Sequence, residues 1–350
     1  MLHRLSSIFI ALCALAFGGC IEYGAPALER FDVADSSGLF ILNEGNFMYG
    51  NASLSYYDLG SGECMNDVFM RANGAKLGDV AQSMTIHGGK GYVVVNNSGA
   101  IYVLDLSTFE VCGIIRGLVS PRYIRFVSDE KAYVTDLYAA RISVVDPRTN
   151  AVVGSIDTGV HKSTERMVQY GHYVFVCCWS YDETILVVDS QTDEIVREIA
   201  VGRQPDSMVL DRNGRVWCLC GGGLSADAQA SLWRIDAETQ RVDKVFYFAE
   251  NRTPSELCID GGGENLYFLD DDVMTMPVDA DALPQQPLID NRGTIYYGLA
   301  VDPHSGDIYV ADAVDYVQDG TVYRYTRAGV FVDSFRVGIT PGAFCFKYSD

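Results

Sequence analysis

Ile101-Tyr102-Val103-Leu104-Asp105 is a five-residue strand-like run that recurs along the chain. It returns as Leu54-Ser55-Tyr56-Tyr57-Asp58, Ile142-Ser143-Val144-Val145-Asp146, Ile185-Leu186-Val187-Val188-Asp189 and Leu232-Trp233-Arg234-Ile235-Asp236. Met274-Thr275-Met276-Pro277-Val278-Asp279 repeats it with one extra residue, and Val322-Tyr323-Arg324-Tyr325-Thr326 replaces the Asp by Thr. The terminal positions 58, 105, 146, 189, 236, 279 and 326 are separated by 47, 41, 43, 47, 43 and 47 residues. A period of that length carries one four-stranded sheet per repeat, so seven copies predict an all-β, seven-bladed β-propeller.

Upstream of each copy lies a second β-rich run, such as Tyr92-Val93-Val94-Val95 or Leu266-Tyr267-Phe268-Leu269, whose alternating and β-branched character excludes helix. Innermost strands are expected through Met84, Ile124, Met167, Met208, Leu257 and Leu299, after turn signals such as Ser120-Pro121 and Gln204-Pro205. The seventh comes from the far end of the chain, where Thr340-Pro341-Gly342-Ala343-Phe344-Cys345-Phe346 repeats the same pattern. It should complete the first blade, whose other strands begin at Leu39, and so close the ring and remove its exposed sheet edges.

The chain opens with Arg4, an apolar run from Ile8 to Phe17, and Gly18-Gly19 before Cys20. This reads as a signal peptide over residues 1–19, with Cys20 as the acylated first residue of a lipoprotein; ordinary signal cleavage is the alternative. Residues 20–35 then form a lipidated tether and 36–350 the propeller. Without the leader, 25 basic residues face 46 acidic ones, which argues against nucleic acid as a partner. The remaining cysteines, at 64, 112, 177, 178, 218, 220, 258 and 345, fit small buried hydrophobes better than disulfides.

Loop lengths sort by face. From innermost to second strand the interval is 7 to 9 residues in the six consecutive blades. From second strand to terminal position it ranges from 13 to 20, so insertions gather in the b–c loops, and the binding face is placed there with the d–a connections. The candidate ligand-binding residues from these loops are Glu44, Asn46, Phe47, Tyr49, Asn97, Tyr138, Trp179, Tyr181 and Tyr316. Aligned innermost strands place Gln82, Arg122, Glu165, Asp206, Ser255, Tyr297 and Gly342 at one level around the channel mouth, and Arg122, Glu165, Asp206 and Tyr297 join the candidate set. Aromatic faces with short amides and mixed charges suit a flat, polar, asymmetric ligand.

No catalytic residue and no metal site is expected. Among His87, His161, His172 and His304 there is no paired-ligand motif, and Cys218 and Cys220 have no His partner. Asp270-Asp271-Asp272 lacks the spacing of a calcium loop and reads as a solvated acidic turn. His161, on the binding face and near Glu165 in sequence, is the one candidate general base.

Leu42-Asn43-Glu44-Gly45-Asn46-Phe47 followed by Asn51-Ala52-Ser53-Leu54-Ser55-Tyr56-Tyr57-Asp58 resembles the first blade of YncE-like propeller lipoproteins of Bacteroidetes, and within them the BtuG-type surface proteins that capture cobalamin. The Val144-Val145-Asp146-Pro147-Arg148-Thr149 pattern is general to YncE-like propellers. The resemblance implies a lipid-anchored protein of the outer membrane, facing the cell exterior, that binds a corrinoid without a cofactor of its own and passes it to a TonB-dependent transporter. Ile21-Glu22-Tyr23-Gly24 carries a single acid, which leaves a periplasm-facing anchor open as well. The alternatives from other classes are a glycan- or protein-binding propeller of another uptake system, and a propeller lyase relying on His161.

Overall fold

The computed structural model describes residues 28–223 and 228–349. The leader and Cys20, the expected lipidation site, lie outside the described residues. Seven antiparallel sheets follow one another along the chain, and each innermost strand packs against that of the next sheet until the ring closes. The innermost strands are Pro341–Lys347, Ala81–His87, Pro121–Ser128, Thr164–Tyr170, Pro205–Leu210, Ser255–Ile259 and Tyr296–Val301. Closure is as the repeat requires: Pro341–Lys347 pairs with Gly38–Asn43, with Phe40 opposite Cys345 and Leu39 opposite Phe346. The fold is a seven-bladed β-propeller.

The core lies between blades rather than within them. One apolar cluster joins Phe175 and Val187 of the fourth blade to Met208, Val216 and Cys218 of the fifth, and another joins Leu39 and Tyr57 of the first to Tyr309 and Val322 of the seventh. A strand whose two faces both meet a neighbouring blade needs apolar residues on both sides, which is why Tyr92–Val95 and Val174–Cys178 are continuous hydrophobic runs. All eight described cysteines are free thiols. Cys177, Cys178, Cys218 and Cys220 are buried, and the Sγ atoms of Cys177 and Cys218 stand 4.0 Å apart.

The recurrent Asp has a local task. Its carboxylate accepts backbone N–H groups of the following c–d turn: Gly60 and Ser61 on Asp58, Ser107 and Thr108 on Asp105, Arg148 on Asp146, Gln191 on Asp189 and Thr239 on Asp236. These are Asx turns that fix each hairpin to its outer strand. In the seventh copy Thr326 Oγ1 accepts the Val330 N–H instead.

Three features differ from the expectation. The sixth sheet has three strands, because Pro284 and Pro287 fall where an outer strand would need ladder N–H groups; only a bridge from Val273 to Ile289 remains. A helix, Val68–Asn73, follows the first blade, burying Val68, Phe69 and Ala72 and ending on Gly74 at φ 67°. From Glu29 onward the stretch expected as tether is docked. Phe31 packs on Phe109 with ring centroids 5.0 Å apart, Val33 N–H donates to Ser107 O, and Lys347 Nζ donates to the Val33 carbonyl at 2.8 Å.

Candidate functional site

Where each innermost strand begins, its register with the second strand slips. Gln82, Arg122, Glu165, Asp206, Tyr297 and Gly342 fall within these slips, and Ser255 immediately before one. A bulge leaves a residue outside the ladder and re-aims its side chain, and here it delivers the aligned residue to the channel mouth in six blades, with Ser255 beside the slip in the remaining one. All seven line a single cavity of about 650 Å³ on the b–c/d–a face.

Of the thirteen candidate binding residues, Glu44, Phe47, Arg122, Tyr138, Glu165, Trp179, Asp206 and Tyr297 line this cavity. Asn46, Tyr49, Asn97, Tyr181 and Tyr316 do not. Tyr49 and Tyr181 stand out in solvent at 76% and 79% exposure, each on a loop tip of the same face. Asn97 donates to Asp79 Oδ2 at 2.6 Å, Asn46 donates to the Tyr316 carbonyl, and Tyr316 packs edge-on against Tyr297 at 5.6 Å. These residues brace the rim. Sequence alignment missed a second layer one residue further along the strands, Tyr123, Arg166, Ser207 and Glu256, which also faces the cavity. The signal was present as a run of polar residues, Glu165-Arg166 and Ser255-Glu256, too long for strict alternation in a buried strand.

The two layers form a charge network. Arg122 Nε donates to Glu165 Oε1 at 2.7 Å and its guanidinium also reaches Gln82 and lies 6.0 Å from the Trp179 ring centroid. Below it Arg166 donates to Glu256 Oε2 at 2.8 Å and sits over the Tyr123 ring. Glu44 accepts from the Tyr297 hydroxyl at 3.0 Å, and Asp206 from Ser207 Oγ at 2.8 Å. Burial pushes Glu44 up to about 7, against the pull of the Tyr297 hydrogen bond and the Arg122 charge. Burial likewise pushes Asp206 up to about 7, against its Ser207 bond. Glu165 and Glu256 are raised by burial too, less their arginine partners' opposing effect. Near neutrality Glu44 and Asp206 can each donate or accept a hydrogen bond, while Glu165 and Glu256 are held by guanidinium groups. Phe47 and Tyr138, both largely exposed, and Trp179 form an aromatic rim above this polar floor.

His161 lies outside the cavity. Its Nδ1 is 2.8 Å from Asp182 Oδ2 and its Nε2 3.7 Å from Glu198 Oε2. His161, Cys178 and Asp182 bring ligand-type atoms within 4.8 Å of one another, the arrangement among the described residues nearest to a metal-binding set. The Cys178 thiol is buried and burial pushes its pKa up, away from the thiolate a metal needs. The triple-aspartate turn is paired rather than freely solvated: Arg252 donates to Asp270 at 2.8 Å and to Asp271 at 2.9 Å, and Asp272 accepts the Asn291 N–H.

These features define a closed propeller with a mixed-charge, aromatic-rimmed funnel at one end of its channel. The chain belongs to the family described as domain of unknown function (DUF5074), whose model matches residues 37–333. No curated protein matches it in sequence. Among solved structures it is similar to a quinonprotein alcohol dehydrogenase-like protein from Bacteroides thetaiotaomicron, with TM-score 0.69 and 15% identity over 90% of this chain and 79% of that one. A functionally unknown protein from Desulfotomaculum acetoxidans gives TM-score 0.66 and 13% identity over 90% and 100%. The WD40 β-propeller domain of Doa1 gives 0.60 and 11% over 82% and 91%. At such identities the likeness is one of fold.

Proposed function

We propose that this protein is a YncE-like, BtuG-type lipoprotein, anchored through Cys20 at the outer membrane, that captures a corrinoid such as cobalamin in the funnel and hands it to a TonB-dependent transporter. The observation that carries this reading is the convergence of one residue from the start of each of the seven innermost strands, and of three rim aromatics, on one cavity of about 650 Å³. A corrinoid is a broad ring edged with amides. Its apolar faces suit Phe47, Tyr138 and Trp179, and its amide N–H and C=O groups suit carboxyls that both donate and accept, such as Glu44 and Asp206. Binding rather than catalysis is favoured because His161 is engaged by Asp182 away from the cavity.

Calorimetric titration of the domain with cyanocobalamin, with soluble oligosaccharides in parallel, tests the proposal. Saturable one-to-one corrinoid binding is expected, weakened about tenfold or more by Trp179→Ala, since a large aromatic that stacks on a flat ligand is a typical anchor. Absence of corrinoid binding would overturn it, and heat with an oligosaccharide would reassign the funnel to a glycan.

A further inference from the structure

The channel has a second chamber. Further along the innermost strands, toward the a–b turns, a cavity of about 350 Å³ is bounded by Thr85, Arg125, Arg166, Gln169 and apolar residues including Met167 and Met208. Its lining contains two arginines and no carboxylate. Arg166 and Tyr123 line both chambers and separate them, and Arg166 is already paired with Glu256. Arg125 is different. No ion pair or side-chain hydrogen bond engages it among the described residues, and its Nε is buried without a partner. Burial lowers its pKa, with no neighbouring acid to oppose the shift.

A guanidinium stays protonated under such conditions, and the buried Nε of the partly exposed Arg125 carries a desolvation cost that an acceptor would offset. Thr85 and Gln169 do not supply one: neither Thr85 Oγ1 nor Gln169 Oε1 accepts a hydrogen bond from the Arg125 guanidinium, and their own donors go to the Ile124 and Gly171 carbonyls. The forked, planar donor set of Arg matches a carboxylate or a phosphate-type oxyanion. This cationic locus stands out in a chain of formal charge −20, where the surface field repels anions. We infer that the second chamber is an oxyanion-binding site built on Arg125, independent of whatever the funnel takes.

Calorimetric titration of the propeller with inorganic phosphate and, separately, with acetate in chloride buffer tests this and distinguishes the two sources of anion. Saturable one-to-one binding of at least one is expected, reduced about tenfold or more in Arg125→Met and retained in Glu44→Gln. Thermal unfolding gives a second readout. Without oxyanion, Arg125→Met should melt no lower than the parent, because it removes a partly buried charge that no acid pairs, and added phosphate or acetate should raise the parent's melting temperature more than the variant's. If Arg125→Met does not fold, Arg125→Lys replaces it, keeping the charge but losing the fork, with weakened binding expected. No saturable heat with either anion, which leaves the chamber to water, would overturn the inference, as would equal binding by parent and variant.

Discussion

Glu44 and Asp206 give the funnel a titration near neutral pH. In the unfolded chain their ordinary values are 4.5 and 3.8, whereas burial raises both to about 7 in the fold. Between about pH 4 and 7 the native protein therefore holds protons that the unfolded chain has released, so these groups make stability fall as pH rises through that window and level off above it. Each accounts for a total loss on the order of 3–4 kcal/mol across that window. Urea unfolding at pH 5 and pH 8 should show the parent losing stability toward pH 8, and Glu44→Gln losing measurably less; an identical drop would remove Glu44 from the account. The Arg122–Glu165 pair makes a different prediction at the same scale. Glu165 is only 2% exposed, so Arg122→Ala should cost about 3 kcal/mol by stranding a buried carboxylate. Replacing both partners, Arg122→Met with Glu165→Leu, should cost clearly less, and equal losses in the two variants would mean that packing around the guanidinium, not its charge, is what matters.

The repeated strand ending in Asp was legible because the physics is local: a hairpin needs its turn N–H groups satisfied, and the same carboxylate does this in five blades. Asp236→Ala should therefore lower stability by about 1 kcal/mol. Asp279, which ends the sixth copy, is exposed and caps no turn among the described residues, so Asp279→Ala should leave stability within about 0.5 kcal/mol. Denaturant midpoints for the two variants side by side check this, and equal effects would detach the repeat from its capping role. Where sequence reading fell short, the cause was non-local or too short to repeat. The six-residue helix Val68–Asn73 occurs once, and the prolines that end the sixth sheet's pairing matter only when the partner strand is known. The bulges were invisible as such, since a slip in register is a relation between two strands. Their consequence was half visible, however: in six blades the first residue of the slip, and in the sixth the residue just before it, aligned in sequence, and Arg166 and Glu256 one place on were missed because alternation would have turned them away from the channel.

At the scale of the whole molecule, the ring is closed by one strand from the chain's end joined to three from its beginning, and nothing in the geometry makes that seam special. Each innermost strand meets its neighbours alike around the ring, and the two ends of the domain touch: Ser349 N–H donates to Ser37 Oγ at 3.1 Å. The seam can then be moved. The a–b turn at Gly88-Gly89 is exposed, both glycines have positive φ, and no atom crowds either of them. A circular permutant that begins at Gly89, links 349 to 36 by a short flexible segment, and ends at Gly88 recreates the same one-plus-three closure in the second blade. It lacks the docked residues 28–35, so its comparator is the linear chain from Ser36. The permutant should melt cooperatively within a few degrees of that comparator and keep the funnel, which lies on the opposite face from the cut. Deleting 340–350 instead removes the innermost strand of the first blade, bares the edge of Gly38–Asn43, and should yield a non-cooperative, self-associating species by calorimetry and size-exclusion chromatography. A permutant that fails to fold beside a well-folded comparator would mean that the first blade is a required nucleus, and that closure by the chain's two ends directs folding as well as holding the ring shut.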